Sequence, residues 1–430
     1  MIQEFELSLG ATLLVDPVEH TGTAALGFWY GHGSRDERVH EHGCSHLLEH
    51  MVFKGTATRS ASRIARDIDR VGGAINAFTD RETTCLHCSV PGDAAPAAAE
   101  VLADMATAPT LDGAELTKER QVVINEIHAA DDSPDERAFQ AYVERLWGSH
   151  ALSRRIAGDV HEVAEIDRDR LLRFFRERFH PSRLIVSVAG RVAVEEVIAA
   201  IDDTLQRTAA GWMDEPVLDE TAESPAARCS PDHHAGVWRH GDRCHQTYLY
   251  AGRPLPVDRT VRNYYALTLL STLVGESMSS RLFQNLRERR GLCYSIGSFR
   301  THLSDLWLWS VFANCVPEAR EELIDGLLAE LRGLRAHPPG KEEVDEAMSH
   351  LRGALVFARE DMEARMRRMV YQRQTFGPIL SFEEMESYIH GVARDELEAM
   401  AGLFADTDAF ALVAYGGDPI DHDVDPQPSE

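Results

Sequence analysis

Apolar and polar positions alternate from the start of the chain, where Ile2-Gln-Glu-Phe-Glu-Leu-Ser8 reads as a first strand. Two later runs, Leu184–Gly190 and Phe410–Gly416, are almost wholly apolar and end in glycine, as buried strands do. Their glycines stand 226 positions apart, and the same offset carries Asp169-Arg-Leu171 onto Asp395-Glu-Leu397. In each case the matching triplet lies in an amphipathic helical stretch just before its strand. Two matches at one offset predict a duplicated unit of roughly 200 residues, each copy an α+β layer with a mainly antiparallel or mixed sheet and helices packed on one face.

Further elements can be placed between these anchors. Gly72-Gly73 reads as a turn feeding a strand, Ala74–Thr79. In Glu119–Ile127, Val122, Val123 and Ile127 have helical spacing, and the stretch holds no Gly or Pro. Leu282–Arg290 reads as a helix stopped by Gly291, and Leu292–Gly297 as the strand that follows. The stretch 207–236 is acidic, holds Pro216 and Pro225 and shows little periodicity, so it reads as a linker. The expected organisation is a first domain over 1–208, a linker over 209–236, a second related domain over 237–417 and a loose polar tail over 418–430.

Length and composition agree with this division. A chain of 430 residues, 44% apolar, is long enough for two or three packed cores. No run reaches 18 apolar residues, so no membrane span is expected. The first residues offer neither a basic nor an apolar leader segment, which favours a cytoplasmic location. Seven cysteines, an odd number, fit a reducing compartment better than a disulfide framework. Cys85 and Cys88 are three apart on a strand-like stretch and should face opposite ways. The residues Cys229, His233, His234, His240, Cys244 and His245 match no zinc-finger spacing and read as a His-rich linker entering a strand. A net charge of −26 argues against nucleic acid as a partner. It serves either solubility or attraction of cationic peptides.

Candidate chemistry concentrates in His46-Leu-Leu-Glu49-His50. Residues four apart on a helix lie one above the other, so His46 and His50 can grip one metal ion, with Glu49 placed to reach a water on it. H-x-x-E-H is the reverse of the more familiar H-E-x-x-H and marks the inverzincins. A catalytic zinc usually takes three protein ligands. Glu119 and Glu126, two turns apart on one helix, supply the missing part: Glu126 as third ligand, Glu119 as an outer group orienting a ligating histidine or the ligand carboxylate. A solvated acidic helix face is the competing reading.

Taken together, these segments resemble the pitrilysin family of zinc peptidases, of the small-subunit kind similar to mitochondrial processing peptidase and its bacterial relatives. Gly43–Thr56 resembles the family's zinc helix, Gly72–Thr79 its substrate-binding strand and Ser279–Ser295 its second-domain signature. The likeness runs from about residue 5 to residue 416, nearly the whole chain. It implies two related domains forming half of a clamshell, one Zn²⁺ per chain, and a peptide substrate held at Asn76 and Ala77 by main-chain pairing to a strand edge. It also implies that Arg287 grips a peptide carbonyl and that the Tyr294 hydroxyl donates to the developing oxyanion. In the family this Arg/Tyr pair faces the zinc domain of the opposite half. A chain that carries both sets can complete its sites by pairing with itself, which favours a homodimer. A heterodimer with a metal-free sister chain stays open, as does a silent core or assembly role in such a pair.

Overall fold

The computed structural model describes residues 2–208, 211–212, 228 and 231–417. Most of the expected linker, Cys229 and the whole tail after Gly417 lie outside the described residues. The first half runs β1 (Gln3–Glu6), β2 (Thr12–Pro17), β3 (Thr23–Tyr30), α1 (Cys44–Met51), α2 (Ala61–Asp69), β4 (Ala74–Thr79), β5 (Thr84–Pro91), α3 (Ala95–Thr107), α4 (Gly113–Asp132), α5 (Pro134–Trp147), α6 (Val160–Glu165), α7 (Arg168–Arg178), β6 (Leu184–Gly190) and α8 (Val194–Thr208). The second runs β7 (Gly236–His240), β8 (Thr247–Leu255), α9 (Val261–Ser271), β9 (Ser295–His302), β10 (Trp307–Cys315), α10 (Arg320–Ala336), α11 (Lys341–Glu360), α12 (Met362–Phe376), α13 (Phe382–His390), α14 (Arg394–Phe404) and β11 (Ala411–Tyr415).

Two mixed sheets result. The first has the order β1-β2-β6-β3-β5-β4, with β2 and β6 parallel. The second has the order β7-β11-β8-β10-β9, with β7 and β11 parallel. Without β1 the two orders are the same, which is the duplication expected from the repeated pattern. The two glycine-closed runs are β6 and β11, and the helices carrying Asp169 and Asp395, α7 and α14, come just before them. The α+β class with two related sheets therefore stands.

The helices cover more than the one face expected. In β3 the side chains of Leu26, Phe28 and Tyr30 enter a core shared with Leu47, Leu48 and Met51 of α1 and with α3. Ala25 and Trp29 point the other way, into a second core with Met362, Met366, Met369 and Val370 of α12. An apolar strand buried on both sides needs a helix on each face. Gly27 lets α12 come close, because a Cβ there would lie 2.4 Å from both Met366 Sδ and Trp29 Nε1. Arg365 of α12 donates to Asp16 of β2 at 2.8 Å, both largely buried. On the second sheet, Tyr142, Val143, Leu146 and Trp147 of α5 pack with Leu308 and Val413.

Compact units consequently do not follow the contiguous boundaries drawn from sequence. One unit gathers Met1–His128, Arg154–Cys229 and Ala358–Ile379; the other gathers Ala129–Ser153, Ser230–Phe357 and Leu380–Glu430. Each half of the chain sends one helix to the other half's sheet. The reason is tertiary: α5 and α12 bury their apolar sides on the sheet that is remote in sequence. Among the described residues, no helix is long and apolar enough to cross a membrane.

Candidate metal centre

Helix α1 is fixed at its start by the buried Glu37 carboxyl group. Glu37 accepts the Gly43 N–H at 3.0 Å and the Ser45 N–H at 2.7 Å, two of the donors a helix leaves unpaired at its N-terminus. Gly43 takes a left-handed φ of 84°, and a Cβ there would lie 2.8 Å from the Ala157 carbonyl oxygen. Leu47, Leu48 and Met51 are buried, which leaves His46, Glu49 and His50 on the remaining face. Helix α4 is anchored by Leu116, Val123 and Ile127. Val122, read from sequence as part of the apolar side, faces outward at 40% exposure.

These two helices bring His46, His50 and Glu126 together, with their ligand atoms all within 4.8 Å of one another. Glu126 Oε2 is 3.5 Å from His50 Nε2 and 3.9 Å from His46 Nε2. Ligands about 2.0–2.1 Å from a tetrahedral zinc stand roughly 3.3 Å apart, so a small inward movement suffices. The donor set of two imidazoles and a carboxylate suits that ion. No other such trio occurs among the described residues, which include His233, His234, His240, Cys244 and His245.

The surrounding groups set the state of each ligand. His50 Nδ1–H donates to Glu119 Oε2 at 3.2 Å, which fixes the tautomer that leaves Nε2 for a metal. Burial, with the neighbouring His50 adding, pushes the His46 imidazole down to about 4, so it is neutral and able to ligate near neutral pH. Burial also raises the Glu49 carboxyl above the usual carboxylate range, and the Glu126 carboxylate adds to the rise. Hydrogen bonding from Thr79 and the charge of His50 offset part of that rise, while Glu49 Oε2 is buried without a hydrogen-bond partner.

One participant escaped the sequence reading. Lys54 Nζ lies 2.8 Å from Glu119 Oε1 and completes a line from Lys54 through Glu119 to His50. A signal was present, since Lys54 is four residues beyond His50 in the same segment. Asn76 and Ala77 lie on β4, the outer strand of the first sheet. The Asn76 side chain accepts the Ala77 N–H at 2.9 Å.

Arg287 and Tyr294 belong to the second unit. Arg287 sits in the helical turns Phe283–Arg289, with its guanidinium carbon 4.4 Å from the Phe283 ring centre and 5.9 Å from that of Tyr294. Gly291, with φ 62°, reverses the chain after those turns, and the strand that follows starts at Ser295 rather than Leu292. Tyr294 thus precedes the strand and is 75% exposed.

Residues 14–160 match the family described as Insulinase (Peptidase family M16), and residues 165–351 match the Peptidase M16 inactive domain. The "Uncharacterized zinc protease SCO5738" of Streptomyces coelicolor is 32% identical over 393 residues, 91% of this chain and 84% of that protein. The "Uncharacterized zinc protease YmxG" of Bacillus subtilis is 29% identical, over 97% of this chain and 99% of its own length. In fold, the chain is similar to a protease from Helicobacter pylori, with a TM-score of 0.85 and 21% identity over 97% of this chain and 99% of that one. The pitrilysin-type resemblance is therefore carried by sequence along nearly the whole chain and by fold, and the chain belongs to the M16, or insulinase, family of peptidases.

Proposed function

We propose that this chain is a zinc-dependent endopeptidase or oligopeptidase acting on extended, poorly folded peptides. The observation that carries the reading is the convergence of His46 Nε2, His50 Nε2 and Glu126 Oε2, with Glu49 one residue from His50 on the same helix. His46, His50 and Glu126 would hold the ion. The chemistry the ion supplies when bound is a water acidified towards pKa about 7 and a polarised scissile carbonyl. Glu49 takes a proton from the attacking water and returns it to the leaving amine, and its raised pKa suits a group that must hold that proton between the two steps. Glu119 keeps His50 oriented. The outer edge of β4 holds the substrate main chain by strand pairing, which binds backbone and permits loose side-chain specificity.

Arg287 and Tyr294 complete the reading from a second copy of the chain. Arg287 grips a peptide carbonyl, and Tyr294 donates to the oxyanion, where a placed donor contributes about 3–4 kcal/mol. The exposure of Tyr294 and its nearness to Arg287 support a role towards a partner. Two copies then close a chamber that admits small, unfolded substrates. Glu49→Gln is the direct test: one zinc per chain should remain while peptide cleavage disappears. Cleavage by that variant at the wild-type rate would overturn the mechanism.

A further inference from the structure

The strand assigned to the substrate has two faces, and the metal trio accounts for one of them. Ile75 and Ala77 of β4 turn towards the core that holds α1. Phe78 turns to the opposite face, against the core that holds α12, and by strand alternation Asn76 shares its side. Between this second face and α12 lies a hollow of about 450 Å³, lined by Asn76, Phe78, His87, Ser89, Glu363 and Arg367 among others. It belongs wholly to the first unit.

Its walls are mixed, with Ala74, Ile75, Ala77 and Phe78 on the apolar side and the remaining lining residues on the polar side, where the charges are matched. Arg367 donates through Nε at 3.0 Å and Nη2 at 2.7 Å to Glu363 Oε1. The same guanidinium lies 4.7 Å from the Phe78 ring centre. His87 Nδ1 is 3.7 Å from that Glu363 oxygen, and the His87 ring meets Phe78 edge-on at 5.9 Å. The Glu363 and Arg367 side chains are each about one-third exposed, so they reach the hollow without being sealed in the core.

A peptide paired along β4 alternates its side chains between the two faces. Those on one side meet the α1 face; every second one must turn towards α12. We propose that this hollow is a side-chain subsite selecting uncharged hydrogen-bonding residues (Asn, Gln, Ser, Thr) at alternate substrate positions. The Glu363–Arg367 pair leaves no net charge to attract an acid or a base. An aliphatic side chain would strip water from Asn76, His87, Ser89 and Glu363 and return no hydrogen bond, a loss of the kind that discriminates strongly between ligands. This subsite rests on the peptidase reading above.

The test is cleavage-site profiling of the zinc-loaded protein on a mixed peptide library, with two single variants. Wild type should enrich Asn, Gln, Ser and Thr at positions two apart. Glu363→Gln leaves Arg367 uncompensated and should shift those positions towards Asp and Glu by about fivefold or more; Arg367→Gln leaves Glu363 uncompensated and should shift them towards Lys and Arg by a similar factor. The intervening positions and the zinc content should not change. Cleavage without alternate enrichment, or two variants with the wild-type profile, overturns the subsite and leaves the peptidase reading intact. A zinc-loaded wild type that cleaves nothing in the library overturns the peptidase reading and the subsite with it.

Discussion

Consider Lys54→Met, which keeps most of the side chain's length and removes its charge. Lys54 Nζ stands 2.8 Å from a Glu119 carboxylate whose side chain is 8% exposed, and the other Glu119 oxygen receives His50 Nδ1–H at 3.2 Å. A hydrogen bond to a charged group contributes about 1.5–3 kcal/mol. Without it the carboxylate is buried with less compensation, turns more freely and holds His50 less well. Loss of an outer partner of a ligating histidine commonly weakens metal binding about 10–100-fold, the same range expressed as a ratio. Zinc affinity of Lys54→Met, measured by competition with a chromophoric chelator, should therefore fall by one to two decades. Lys54→Arg, which restores a cation, should recover most of it. Melting of both variants in excess chelator measures separately what the ion pair contributes to the metal-free fold, where Lys54→Met should melt below the wild type and Lys54→Arg close to it. Wild-type zinc affinity in a folded Lys54→Met protein, alongside a weakened Glu119→Gln, would refute the line of support through Lys54.

Gly27→Ala places a methyl group 2.4 Å from Met366 Sδ and from Trp29 Nε1, so chemical denaturation should show a loss of about 1–3 kcal/mol. Met366→Ala alone should cost about 2–5 kcal/mol, and the double variant should lose less than the two combined, because the second change makes room for the first. Burial pushes the Glu37 carboxyl up to about 8 in the folded chain against an ordinary value of 4.5, so the folded state holds the proton more tightly and this contribution to stability is lost as pH rises between those values. Glu37→Gln should remove that dependence, and its stability relative to wild type should be better at pH 8 than at pH 5; a constant difference would count against it. Finally, a Glu49→Gln chain mixed with a Tyr294→Phe chain should regain activity, since one of the two mixed sites is then intact. Absence of recovery with subunit exchange verified counts against a shared site.

Much of the site was legible because its spacing is local to two helices. His46, Glu49 and His50 share one turn, and Glu119 and Glu126 lie two turns apart, so helical geometry alone places each set on one face. What the sequence could not show is where those faces meet, and it hid partners that act across the gap. The spacing of Lys54 from His50 hints at a shared site, but only the fold brings Glu119 beside it. Val122 turns outward for a related reason, since the apolar stripe of α4 is set by Leu116, Val123 and Ile127, and one extra valine carries no sign of which way it turns. The duplication was legible in β6 and β11 because a buried run closed by glycine is distinctive. The placement of α5 and α12 was not, because an amphipathic helix records that it has an apolar side and not which sheet will receive it.

That crossing of α5 and α12 has a consequence for how the duplicated parts can be used. Residues 1–208 expressed alone would leave Trp29 and Ala25 without the methionines that cover them, and residues 237–417 would leave Val413 and Leu308 bare where Trp147 and Leu146 belong. Neither copy is autonomous, although each has its own sheet. Because each copy lends a helix to the other's sheet, a gene split between the halves would yield two sticky fragments rather than two working modules.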